Sequence, residues 1–284
     1  MTISKTSIKI KKYLFLVTSG FLLSMMGCSL LPSFKNDCQP VQSQLVDGSF
    51  WVDISKYGTS SAKSLIIVPP TGRTNYIDRR YAEKFCSAGY SVIILDQWMG
   101  DTEPESFDLG MHQRFYERAD KSIALAIGST HSKFIGLLGT SVGALHAGVA
   151  ASTQPQLNAV FIITGGAMLA EIIVNSDQQA MIDLAKKRAQ EYGYKNKEEY
   201  LKALLPNIKL DPMLLGDGYK SKKLGMMIAL QDTTVPTEFQ NKLANYWKPS
   251  VVIQRSTGHF WGIVDTWLFD SEKVLDFFES SLKN

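Results

Sequence analysis

Residues 134–143 read Phe-Ile-Gly-Leu-Leu-Gly-Thr-Ser-Val-Gly, and this stretch decides the fold. Its first five residues are apolar throughout, the pattern of a strand buried on both faces of a parallel sheet. A helical pattern opens at Val142 and runs to Ser152. Between strand and helix lies Gly139-Thr140-Ser141-Val142-Gly143, a G-x-S-x-G turn. A turn this sharp crowds neighbouring backbone against both flanking positions, and only glycine leaves room there. It lifts the Ser141 hydroxyl above the sheet and leaves the Val142 N–H at the positive end of a helix.

Working outward, short apolar runs bounded by turn residues recur at Ser64–Val68, Ser91–Leu95, Ala159–Ile163, Leu224–Leu230 and Ser250–Gln254. Helical patterns lie between them, at Asp78–Ala88, Gly110–Ser129, Thr237–Trp247 and Val264–Ser281. Strand and helix in alternation predict a doubly wound, mostly parallel α/β sheet. Gln44–Tyr57 alternates around Asp47-Gly48 and predicts an opening β-hairpin. Residues 167–222 break the rhythm with charged helical sequence and no strong strand, so they read as a helical cap inserted in a domain spanning 44–284.

The N-terminus reads as a targeting segment. Lys5, Lys9, Lys11 and Lys12 precede an apolar run, Leu14 to Met26, too short to span a membrane comfortably. The run ends in Met-Met-Gly-Cys, which resembles a bacterial lipoprotein signal with Cys28 as the lipidated first residue; Met25 stands where that signal usually has Leu. Residues 1–27 are then a signal peptide and 28–43, rich in Pro, Ser and Gln, a tether. Localisation follows: exported, and membrane-anchored in the cell envelope. Removing 1–27 takes four of the 30 Lys and Arg and none of the 27 Asp and Glu, so the +3 chain becomes −1. No basic patch argues for a nucleic-acid partner. At 45% hydrophobic and 20% charged, 284 residues are globular and without a repeat. Cys38 and Cys86 remain, either as a disulfide or with Cys86 as a buried thiol in its helix.

A serine hydroxyl is almost un-ionised at neutral pH and needs a base. The chain has four histidines. His146 lies inside the helix leaving the turn and points away from it. His112 begins a helix, and His131 follows the end of one. His259 follows the last strand, in Ser256-Thr257-Gly258-His259, where α/β enzymes place catalytic groups. The acid that orients the base should also follow a strand, and Asp232 does, in Gln231-Asp232-Thr233-Thr234-Val235-Pro236. Asp217 and Asp265 follow no strand, and Asp265 reads as a helix starter. Asp96 follows a strand but precedes Ser141.

From about Ser64 onward the chain resembles the α/β-hydrolase superfamily, on GTSVG, ALQDTTVP and TGH before a final helix, in the order Ser141, Asp232, His259. The resemblance implies a Ser-His-Asp mechanism through an acyl-enzyme. It also implies an oxyanion hole formed by the Val142 N–H and a second N–H from Pro69-Pro70-Thr71-Gly72-Arg73. Prolines have no N–H, which leaves Thr71 or Gly72, with Thr71 favoured. Carboxylic-ester hydrolysis is the default for this set; peptidase, amidase, thioesterase and acyltransferase chemistry use the same three groups, and a non-catalytic tethered binding protein is the reading from another class. The expected substrate is a small-molecule or lipid acyl compound, with no nucleic-acid partner; oligomeric state carries no sequence signal. No cofactor or metal is expected, because phosphate-loop and ligand-spacing motifs are missing. Met168, Leu169, Ile172, Ile173, Met181, Leu184, Leu204 and Leu205 either line an acyl pocket or pack the cap onto the core. Trp98, Met99, Phe260 and Trp261 are expected at the mouth of the site.

Overall fold

The computed structural model describes residues 38–70, 73–97 and 108–282. Eight strands form one sheet: β1 (Val41–Asp47), β2 (Phe50–Tyr57), β3 (Lys63–Val68), β4 (Ser91–Gln97), β5 (Phe134–Thr140), β6 (Ala159–Ile163), β7 (Lys223–Ala229) and β8 (Val251–Arg255). Their order is β1-β2-β4-β3-β5-β6-β7-β8. The opening hairpin pairs antiparallel, and β2 runs antiparallel to β4. Every other neighbouring pair is parallel.

Helices cover both faces: α1 (Tyr76–Ser87), α2 (Met111–Gly128), α3 (Val142–Thr153), α7 (Thr237–Trp247) and α8 (His259–Ser281). Alternation along the strands divides the core. Ile66 and Val68 face a layer with Ile123 of α2, Ala147 of α3 and Leu243 of α7. Leu65 and Ile67 face Tyr81 and Phe85 of α1 and Phe277 and Phe278 of α8. All four β3 side chains are buried, each contributing about 1.5–3 kcal/mol over an exposed position. This two-sided burial is why the strands read as unbroken apolar runs.

Between β6 and β7 the chain makes a wholly helical excursion: α4 (Leu169–Asn175), α5 (Gln179–Tyr192), α6 (Lys197–Leu204) and two 3₁₀ turns, Leu205–Asn207 and Gly216–Ser221. Leu169, Leu204 and Ile173 bury there against Leu145 and Val149 of α3 and Phe239 of α7.

Two boundaries differ from expectation, and one open alternative is decided. β1 begins at Val41, inside the stretch read as tether, because pairing with β2 holds a strand whose side chains are mostly exposed and leave little apolar signal. Cys38 and Cys86 are joined in a disulfide, which settles that alternative and ties residue 38 to α1. The last helix starts at His259, five residues before Val264, so Asp265 lies inside it and does not begin it. Its first turn carries exposed Phe260 and Trp261, which is why it lacks an amphipathic pattern. No described helix is long and apolar enough to cross a membrane.

Candidate active site

Ser141 sits between β5 and α3 with φ 55° and ψ −120°, a conformation that a non-glycine residue adopts only when its surroundings enforce it. The enforcement is visible on both sides. A Cβ on Gly139 would stand 2.5 Å from the Gly143 carbonyl oxygen, and one on Gly143 would stand 2.1 Å from that of Val68. The Ser141 N–H donates to the Ile163 carbonyl at 2.9 Å, tying the turn to the end of β6. Val142 is the first residue of α3, so its N–H belongs to the positive end of that helix.

His259, the first residue of α8, enters from the other side of the strand ends. Its Nε2 is 2.7 Å from Ser141 Oγ, and its Nδ1 is 2.7 Å from Asp232 Oδ2. Asp232 lies three residues past β7 and is buried. Its Oδ1 accepts the Thr234 and Val235 N–H groups at 2.9 and 3.0 Å, and its Oδ2 also accepts from Gln240 Nε2 at 2.8 Å. These donors answer the desolvation that would otherwise penalise a buried carboxylate. Sequence order and spacing therefore brought Ser141, Asp232 and His259 together as one hydrogen-bonded chain. His259 belongs to a helix and not to the expected loop.

The rival groups stand outside this hydrogen-bonded chain, although His112 lines the same cavity as Ser141. Asp217 is exposed in a 3₁₀ turn and pairs with Lys220. Asp96 accepts from Ser55 and Thr74. His146 is buried in α3 against the Tyr116 ring, at 4.9 Å between centroids, and burial pulls its pKa down to about 3. His112, buried on α2, is likewise lowered to about 3 by burial and the Arg188 charge. His131 is exposed beyond α2. Cys28, Thr71, Gly72, Trp98 and Met99 lie outside the described residues.

Two supporting residues were not foreseen. Gln240 bridges the acid turn from α7, donating to Asp232 and to the Val235 carbonyl while its Oε1 accepts the Ala229 N–H. A polar residue on the buried face of α7, beside Phe239 and Leu243, was the available signal. Asp177, in the link between α4 and α5, accepts from Thr233 Oγ1 at 2.5 Å and Thr234 Oγ1 at 2.8 Å. Those hydroxyls hold its carboxyl below the usual range, helped by the nearby His259. Nothing in the local sequence marks that contact.

Beside Ser141 opens a cavity of about 280 Å³ with mostly apolar walls. Ile172, Ile173 and Met181 line it together with Val142 and Leu145 of α3. Leu169 and Leu204 instead pack into the core, and Leu205 is exposed. The apolar residues of the excursion thus divide between the two expected roles, with Leu205 in neither. Phe260 and Trp261 are 64% and 60% exposed and stack edge-on with each other. Among the described residues no group of His, Cys, Asp and Glu is arranged to hold a metal ion.

No protein-family model matches the chain, and no curated protein matches it. Solved structures do. An esterase of Pyrococcus furiosus, Pf2001, aligns at 16% identity and a TM-score of 0.59, over 85% of this chain and 91% of that one. This is an α/β-hydrolase fold. An acylaminoacyl peptidase of Pyrococcus horikoshii aligns at 16% identity and a TM-score of 0.60, over 87% of this chain and 42% of that one. A puromycin-hydrolyzing peptidase of Mycobacterium tuberculosis gives 15% identity and a TM-score of 0.62, over 86% and 39%. α/β-hydrolase folds carry many chemistries, so function has to be argued from the site.

Proposed function

We propose that the chain is a serine hydrolase that cleaves acyl esters through an acyl-enzyme on Ser141. The observation that carries this reading is the unbroken relay from Ser141 Oγ through the His259 ring to buried Asp232, with both contacts at 2.7 Å. Ser141 Oγ attacks the ester carbonyl carbon while His259 Nε2 takes its proton. The carbonyl π pair moves onto oxygen, and the Val142 N–H donates to that oxyanion. Thr71 is proposed as the second donor, because its loop leaves β3 at Val68, which packs against Gly143. Such a donor contributes roughly 3–4 kcal/mol in known cases. The tetrahedral intermediate collapses, the C–O bond to the alcohol breaks, and His259 returns the proton to the leaving oxygen. Water then repeats the cycle on the acyl-enzyme. Asp232 holds the imidazole in one tautomer and stabilises the imidazolium as it forms.

The cavity beside Ser141 favours a substrate with an apolar acyl group, and the ester bond is the default chemistry of this triad. The cavity walls are mostly apolar, which suits an acyl tail. The residue 167–222 excursion is the cap that supplies one side of those walls, opposite residues of α2 and α3. We also propose lipid attachment at Cys28, with the domain held at a membrane of the cell envelope. Hydrolysis of activated esters by the wild-type chain and by Ser141→Ala tests the reading. Turnover in the first and none in the second is expected; equal turnover contradicts it.

A further inference from the structure

A second cavity shares walls with the one that adjoins Ser141. It is a groove of about 250 Å³ among α4, α5 and α6, with Ile182, Ala185, Ala189 and Tyr200 among its walls. Lys186, Lys195 and Lys197 also line it. Ile173, Ser176 and Met181 line both spaces. A side chain that walls two cavities is the partition between them. Ile173 is fixed, being nearly buried on α4 among the packed residues of the cap. Met181 is only half-buried, on the first turn of α5. Its unbranched thioether can change rotamer without disturbing the helix.

We propose that Ile173 and Met181 set the length of acyl chain the site accepts. The inference rests on Ser141 being the nucleophile of an ester hydrolase. The cavity beside Ser141 holds the tail of a medium-length acyl group, and the Met181 side chain bars its passage into the second groove. At roughly 30 Å³ for each methylene-sized group, and with packing short of complete, the cavity beside Ser141 takes about eight carbons. A longer tail must displace Met181 or stay in water. A shorter one leaves apolar wall uncovered and loses the binding that each buried methylene brings.

The test is the acyl-length profile of the full chain on p-nitrophenyl esters of about four, eight, twelve and sixteen carbons. The wild type should peak near eight. Met181→Ala should open the partition, raising kcat/KM on the twelve- and sixteen-carbon esters at least tenfold relative to the eight-carbon one. Met181→Phe should move the peak toward four. Ile173→Ala should act in the same direction as Met181→Ala. Opposite shifts from two substitutions at one position are not produced by general loss of folding. If the wild type cleaves esters, Ser141→Ala does not, and the Met181 variants keep the wild-type profile, the partition is overturned and the hydrolase reading stands. If the wild type and Ser141→Ala are alike on every ester, both fall.

Discussion

Gly143 packs so tightly against Val68 that a Cβ on the glycine would lie 2.1 Å from the Val68 carbonyl oxygen and 2.6 Å from that of Pro69. The contact involves rigid backbone on both sides, so neither neighbour can yield cheaply. Gly143→Ala should therefore destabilise the protein by about 1–3 kcal/mol or more and displace the Ser141 turn. Thermal unfolding and ester turnover measured together check this. Wild-type stability with wild-type turnover would contradict the close approach.

Asp232 does not react, yet its charge should matter. Asp232→Asn keeps the size of the side chain, removes the charge and favours the wrong imidazole tautomer. The expected loss in kcat is on the order of 10⁴, with KM changed far less. Asp217→Asn and Asp265→Asn should stay near wild type, since Asp217 sits on an exposed turn and Asp265 lies inside α8. Kinetics of the three variants decide the assignment. A collapse in either control, with Asp232→Asn intact, would place the acid elsewhere.

Much of this was readable from residue order. Strands buried on both faces announce themselves as apolar runs, and Gly139 and Gly143 mark a turn that no other residue fits. β1 was less legible because an exposed edge strand owes its existence to β2 and not to its own side chains. The start of α8 was hidden because Phe260 and Trp261 face outward, where an amphipathic pattern expects polar residues. Gln240 and Asp177 reach the acid turn from 8 and 56 positions away, and pairings of that kind are made by the fold.

Stability should depend on pH in a defined direction. His112 and His146 have pKa values near 3 in the folded state against an ordinary 6.5, mainly through burial. Between those values the unfolded chain holds protons that the folded chain lacks, so their stabilisation is present above about pH 6.5 and is lost as pH falls. Asp78 opposes them. Burial raises it from 3.8 to about 7, so its stabilisation is full below 3.8 and lost as pH rises through 7. The net of these three groups is one proton taken up on unfolding between about pH 4 and 6, a rise in stability of roughly 1.4 kcal/mol per pH unit. Urea unfolding across that range measures the slope. His146→Gln should flatten it by about one proton, and an unchanged slope would refute the assignment.

Lipid attachment at Cys28 makes a separate prediction. In a bacterial host grown with a labelled fatty acid, the wild-type chain should take up label and Cys28→Ser should not. Equal labelling of the two would rule out Cys28 as the site.

The most direct measurement of the central claim is labelling by a fluorophosphonate probe, whose phosphorus accepts a serine oxygen only when that oxygen is activated. The wild-type chain should be modified at Ser141, as located by peptide mass mapping. Ser141→Ala should remain unlabelled, and His259→Ala should label far more slowly while His112→Ala, His131→Ala and His146→Ala label at near the wild-type rate. A folded wild-type chain that does not react, or that reacts at a serine other than Ser141, would contradict the account.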